Sequence, residues 1–194
     1  MKPLVKITRR TMLATPALLS FADNSVATVS EELVAAGSET CVAYYTRTGN
    51  TAVIARQICR AVGANLFEIR PTEPYPEDYE ETVAQSQRER DAGFEPELLE
   101  TVADMSTYHT VYLGFPIWSQ TAPPVIRSFL SAHDLSGKRL VPFVTHGGYG
   151  LGNSQSVLAE HAPDALLKES FSIEADQERR TLTQVTRWLA ASRR

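Results

Sequence analysis

The chain has 194 residues, 43% of them hydrophobic and 22% charged, an ordinary balance for one folded domain with a sizeable core. Two cysteines with no Cys-x-x-Cys pair and four scattered histidines argue against a disulfide framework, an iron–sulfur cluster and a zinc site. Setting residues 1–27 aside leaves 15 basic against 22 acidic side chains, a formal charge of −7. That argues against nucleic acid as the main partner, and no apolar stretch approaches the roughly 20 residues of a membrane span.

Residues 1–30 do not read as part of the fold. Thr8-Arg9-Arg10-Thr11-Met12-Leu13 precedes a weakly apolar stretch to Phe21, and Ser25-Val26-Ala27 offers small residues at a cleavage position. Paired arginines ahead of a mildly hydrophobic stretch resemble a twin-arginine export signal, which implies delivery to the periplasm. The alternative is a basic tail on a cytoplasmic protein. Residues 39–194 read as a single domain.

From residue 40 onward, apolar runs alternate with amphipathic stretches, the pattern of an α/β fold with a parallel sheet. The first strand is expected over Thr40–Thr46 and the first helix over Asn50–Val62, with Ile54, Ala55, Ile58, Cys59 and Val62 on one face. The second strand is Asn65–Arg70. Glu77–Ala92 reads as a charged surface helix, and Phe94–Ser106 as a connector in which Leu98, Leu99 and Val102 pack locally. The third strand is Thr110–Gly114, and helix three begins at Pro123-Pro124, with Val125, Ile126, Phe129 and Leu130 inward. The fourth strand is Arg139–Thr145, where Pro142 is a mild misfit, and helix four runs to His161. Leu166–Ile173 is the last strand and Glu174–Ser192 the last helix.

Three loops that follow strands carry the chemistry. Thr46-Arg47-Thr48-Gly49-Asn50-Thr51 lies between a strand and a helix start, where unpaired N–H groups and the helix dipole favour an anion such as phosphate. A simple N-cap needs one such side chain, whereas this loop supplies four donors around a glycine. Pro116-Ile117-Trp118-Ser119 places a tryptophan just past a strand end, able to stack on a flat ring system; packing onto the next helix is the alternative. His146-Gly147-Gly148-Tyr149-Gly150 offers backbone N–H groups at close range and an aromatic side chain, with His146 either a ligand contact or a satisfied core histidine. Gly-x-Gly-x-x-Gly is missing after the first strand, which counts against a dinucleotide fold.

Together, Thr-Arg-Thr-Gly-Asn-Thr, Gly-Phe-Pro-Ile-Trp and Thr-His-Gly-Gly-Tyr-Gly-Leu-Gly-Asn resemble the loops of the short-chain flavodoxin family, across nearly all of residues 40–190. The resemblance implies a three-layer α/β/α sandwich on a five-stranded parallel sheet of order 2-1-3-4-5. That order gathers the three loops at one crevice. It also implies FMN as cofactor, with its phosphate at Thr46–Thr51, its ring along Pro116-Ile117-Trp118 and its polar edge at Gly147–Gly150. Tyr75 and Tyr79 are unassigned rim candidates, and Ser119 stands where relatives often have a second aromatic.

Three functional readings follow. The first is an electron carrier serving a redox partner protein or a small-molecule acceptor. The second is a nicotinamide-dependent flavin reductase acting on a quinone-type acceptor. The third is a flavin-free binding module, since fold does not fix function. A Ser154–His146–Asp134 hydrolase triad lacks the Gly-x-Ser-x-Gly elbow. Cys41 and Cys59 read as two buried thiols, with a disulfide in an exported form as the alternative.

Overall fold

A computed structural model of the chain describes residues 37–174 and 178–192. The proposed export segment, residues 1–30, lies outside the described residues. β1 (Thr40–Tyr44), α1 (Asn50–Val62), β2 (Asn65–Glu68) and α2 (Tyr79–Asp91) are followed by β3 (Thr110–Pro116), α3 (Pro124–Ala132), β4 (Arg139–His146) and α4 (Ser154–His161). β5 (Leu166–Leu167), β6 (Phe171–Glu174) and α5 (Glu178–Ser192) complete the order. The strands are parallel in the order β2-β1-β3-β4-β5, with β6 also pairing β4. This is the 2-1-3-4-5 arrangement expected from the loops.

Two layers cover the sheet because successive residues on each strand point to opposite faces. Cys41, Ala43 and Tyr45 face a core shared with Val125, Ile126 and Phe129 of α3 and Leu158 of α4. Val42 and Tyr44 face the other core, with Ile54, Ala55 and Ile58 of α1 and Val185 and Leu189 of α5. Cys41 and Cys59 therefore lie in different cores, on opposite faces of the sheet, both as buried thiols. Their placement removes the disulfide alternative.

Several boundaries differ from the sequence expectation. β3 runs two residues further than Gly114, because Phe115 and Pro116 continue the ladder against Val144 and Thr145. α2 starts at Tyr79 rather than Glu77, since Asp78 is its N-cap and accepts from the Glu81 N–H at 3.0 Å. Leu99 is 51% exposed, so of the three expected packing residues only Leu98 and Val102 reach the core, where Met105 of the same connector joins them.

The expected last strand is two pieces. β5 pairs Arg139 and Leu140, β6 pairs Phe143 to His146, and the break falls opposite Val141 and Pro142. Pro142, with no N–H to donate, thus stands beside an interruption of the ladder on its outer side, which resolves its apparent misfit to a central strand. Among the described residues no helix is long and apolar enough to cross a membrane, and no group of three His, Cys, Asp or Glu side chains converges as a metal site.

His133, past the end of α3, ties the 92–109 connector to the body. Its Nδ1–H donates to the Phe129 carbonyl at 2.7 Å and its Nε2 accepts from the Val102 N–H at 2.9 Å. The Nε2 bond needs the neutral ring, and burial, outweighing the Phe129 bond, holds the His133 pKa below its ordinary value. Its contribution to stability is complete above the unfolded-state pKa of about 6.5 and is lost as pH falls below it toward the lower folded-state value. Urea denaturation across this range will show a steeper loss of stability in the wild type than in His133→Gln. A parallel pair of profiles would show that the ring carries no such coupling.

Candidate functional site

The carboxyl ends of β1, β3 and β4 open onto one cleft of about 430 Å³, within the size range of small-molecule sites. Twelve of the fifteen sequence-predicted residues line it: Thr46, Arg47, Thr48, Asn50, Thr51, Pro116, Ile117, Trp118, Ser119, His146, Gly147 and Tyr149. Gly49, Gly148 and Gly150 shape its loops without lining it. Tyr79, Val83, Gln120 and Thr145 line it as well. Among the described residues Arg47 carries the only full positive charge there, and no carboxylate lines the cleft.

Loop one is built for an anion. Gly49 is the N-cap of α1, at φ 89°, a left-handed conformation that favours glycine. Having no side chain, it caps nothing, and neither Thr nor Asn supplies a side-chain cap in its place. The simple-cap alternative therefore fails. The N–H groups of Asn50, Thr51 and Ala52 keep no backbone partner among the described residues, and no acidic side chain occupies the first turn. Thr46 Oγ1 accepts from the Gly49 N–H at 3.0 Å and closes the loop. Arg47 leans outward, its Nη1 donating to the Glu77 carbonyl at 3.0 Å and its guanidinium 5.6 Å from the Tyr79 ring centre.

Thr51 has a second role beside its place in the cleft wall. It is buried, and its hydroxyl shares a 2.9 Å hydrogen bond with that of Thr145 on β4. The bond joins loop one to the base of loop three. Thr145 also accepts the Ile117 N–H at 2.8 Å through its carbonyl, so one residue at the end of β4 braces all three loops.

Loop two is a tight turn. Trp118 and Thr121 exchange two backbone hydrogen bonds of 3.0 Å, and Ser119 and Gln120 between them have φ of 47° and 62°. Two consecutive positive φ values are those of a type I′ hairpin turn, usually made by Asn-Gly; here Ser-Gln carries the strain. Loop three holds the turn in place. The Asn153 N–H donates to the Gln120 carbonyl at 2.9 Å, and a Cβ on Gly152 would fall inside that same carbonyl group. Trp118 is half-buried, perpendicular to Tyr75 at 4.9 Å and to Tyr45 at 5.4 Å between ring centres.

In loop three His146 is half-buried at the cleft wall rather than in the core. Its Nδ1 accepts from the Gly148 N–H at 3.1 Å, which places the proton of the neutral ring on Nε2. The N–H groups of Gly147, Tyr149 and Gly150 make no hydrogen bond within the described residues. Tyr149 is 82% exposed at the mouth. The hydrolase triad is not assembled: Ser154 Oγ donates to the Leu151 carbonyl at 2.7 Å, and Asp134 caps the turn after α3 at the other end of the sheet.

A family model described as Flavodoxin matches residues 39–191. The chain belongs to the flavodoxin family. Among solved structures it is similar to a Bacteroides eggerthii protein assigned as a flavoprotein, at 34% identity over 78% of this chain and 96% of that one, with a TM-score of 0.69. A Bacteroides uniformis protein of the same description is 28% identical, covering 77% of this chain and 99% of that one, at a TM-score of 0.68. A Lactobacillus acidophilus flavoprotein solved in complex with FMN is 20% identical over 74% of this chain and 97% of that one, with a TM-score of 0.63. A search of curated proteins gives no match.

Three cleft features of this flavodoxin escaped the sequence reading. Val83 enters from α2 beside the rim candidate Tyr79, on a helix whose charged sequence hides the face it turns to the cleft, and the Thr145 brace looks in sequence like any strand threonine. Gly152 differs in that a signal existed, as the last glycine of the Gly147–Gly152 run. Gly152→Ala will destabilise the fold by about 1–3 kcal/mol, read by urea denaturation, whereas Gly147→Ala, with open space around its Cβ position, will change stability by less than about 0.5 kcal/mol.

Proposed function

We propose that the cleft binds FMN and that the protein works as an electron-transfer flavoprotein. The observation that carries this reading is the uncapped start of α1 on the same cleft as Trp118 and the 146–150 loop. An anion site alone would fit many phosphates. An anion site, an aromatic side chain and a row of free amides around one cleft fit a phosphorylated flat ring with a polar edge.

The residues divide the work of holding it. The Asn50, Thr51 and Ala52 amides, with the Thr48 and Asn50 side chains, would take the phosphate, and Trp118 the ring. The Gly147, Tyr149 and Gly150 amides would face the ring's oxygen edge, where negative charge grows on reduction. His146 would add its Nε2–H. When bound, the isoalloxazine supplies the redox chemistry by accepting and returning electrons. The protein's own part is to fix the ring, limit water around it and favour charge states through donors already in position.

A second reading, reduction by a nicotinamide with delivery to a small acceptor, has one observation in its favour. The cleft continues past the three loops to Tyr79 and Val83 of α2, and Ser119 contributes a small side chain to its lining. Anaerobic mixing of the FMN-loaded protein with NADH separates the two. Slow or absent bleaching supports the carrier, and rapid bleaching with turnover on a quinone supports the reductase.

The phosphate assignment is tested with FMN and riboflavin side by side. FMN will bind at least about ten-fold more tightly in the wild type, and Thr48→Ala with Asn50→Ala will narrow that gap, each ten-fold being about 1.4 kcal/mol. Equal affinities in the wild type would remove loop one from the site. Trp118→Ala will weaken FMN by roughly ten-fold to a hundred-fold, the range of a lost aromatic stack, and raise the fluorescence of the bound flavin. Unchanged affinity would place the ring elsewhere.

A further inference from the structure

Behind Trp118 lies a set of side chains that binding a flavin does not require. Tyr75 meets Trp118 perpendicularly at 4.9 Å, and its hydroxyl donates to Glu89 Oε2 at 2.6 Å. Glu89 belongs to α2 and is 9% exposed. Its other oxygen, Oε1, accepts from Gln85 Nε2 at 2.8 Å. With both oxygens accepting, the carboxyl group has no need of a proton of its own, so Oε2 is a base placed on the phenol hydrogen.

Tyr45 is the control provided by the structure. It is buried and also perpendicular to Trp118, at 5.4 Å, yet its hydroxyl makes no hydrogen bond among the described residues. Burial pushes the Tyr45 phenol upward, and burial followed by the Glu89 hydrogen bond pushes the Tyr75 phenol higher still. Both tyrosines therefore carry their protons, and only Tyr75 has an acceptor ready to take one. A phenol gives up an electron far more easily when its proton can leave in the same event, because the cationic radical is a very strong acid.

We propose that Trp118, Tyr75 and Glu89 form a proton-coupled electron-donor relay that supplies an oxidising ring in the cleft, such as a photoexcited flavin, with one electron from inside the protein. The proposal rests on the flavin reading of the cleft. Trp118 gives one electron to the ring. Tyr75 gives one electron to Trp118 and its phenolic proton to Glu89 Oε2, so one O–H bond breaks and another forms. The balance is a ring richer by one electron, an intact Trp118, a neutral tyrosyl radical at Tyr75 and an uncharged carboxylic acid at Glu89. The return electron reverses each step. The relay moves the oxidising equivalent away from the indole that touches the ring, and Tyr75, being half-buried, keeps it off the open surface.

The test is a blue-light flash on the FMN-loaded protein, with the radicals followed by transient absorption and by electron paramagnetic resonance in frozen samples. The wild type is expected to show a neutral tyrosyl radical that forms more slowly in D2O. Tyr75→Phe, which removes one oxygen, will lose that signal and leave only a tryptophan radical. Glu89→Gln will slow tyrosyl formation by roughly a hundred-fold or more, the usual scale for losing a positioned base, and Tyr45→Phe will leave it unchanged. The D2O comparison needs no variant, so it stands even where Glu89→Gln folds poorly. A tyrosyl signal that survives Tyr75→Phe, or a wild type that binds FMN but forms no tyrosyl radical, would overturn the relay and leave the cofactor site intact. Failure to bind FMN at all would overturn the cofactor site and the relay with it, and the FMN titration alone identifies that case.

Discussion

The cleft depends on a contact in the centre of the sheet. Gly114 of β3 stands between Tyr44 of β1 and Phe143 of β4 in register, and the ring of Phe143 lies where a Cβ of Gly114 would be. Any side chain there would drive β4 or its phenylalanine outward, because a packed core has no slack to absorb it. The Gly114 carbonyl takes the Tyr45 N–H at 2.8 Å, which carries the chain of β1 to the point where loop one begins. β3 and β4 run two and three residues past the end of β1 in this register, and the loops that follow the three strands line one cleft. Thr145 then fixes their spacing, through a side-chain bond to Thr51 and a carbonyl bond to the Ile117 N–H.

The donors around the cleft fall into two groups. One group is engaged within the protein: the Gly49 N–H bonds Thr46 Oγ1, the Thr51 and Thr145 hydroxyls share one bond, and the Gly148 N–H is held by His146. The second group is left free by the first. Gly49 as N-cap leaves the first amides of α1 unpaired, and beside the Gly148–His146 bond the neighbouring amides of loop three keep no hydrogen bond among the described residues. Such donors are oriented before any ligand arrives, which spares the cost of ordering them on binding. The same economy explains the strained Ser119-Gln120 turn. The backbone contact with Gly152 and the Asn153 N–H hold a conformation that the two residues would not adopt alone.

Much of this was legible in the sequence because it lies in short segments with strong local rules. The strand–loop–helix passage at Thr46 to Thr51, the apolar faces of α1 and α3, and the glycine run after β4 each follow from periodicity or backbone freedom, and each is found where expected. What could not be read depends on pairs distant in sequence. Nothing near Thr51 in sequence shows that its hydroxyl also bonds that of Thr145, 94 residues away. Pro142 reads as a misfit until the break between β5 and β6 is placed opposite it. Leu99 reads as a packing residue although the connector turns it to solvent, since a short irregular segment has no period to say which side faces inward.

α2 is the hardest element to explain by packing. Its buried residues are Thr82, Ser86 and Glu89, polar groups that cost free energy to bury and bring little apolar area in return. Thr82 answers its cost with bonds to the Pro76 and Asp78 carbonyls, both at 2.7 Å, and Glu89 through Gln85 and Tyr75. Replacing a buried charge and its partners with apolar side chains of similar size is often neutral or stabilising, so stability alone gives no reason to keep a carboxylate at this position. The reason that remains is what the carboxylate touches. Through Tyr75 it reaches the one tryptophan in the cleft, and along the same helix Tyr79 and Val83 form the cleft's far wall. A helix that looks in sequence like a solvated cover is, by its contacts, the element that couples the cleft to a buried base.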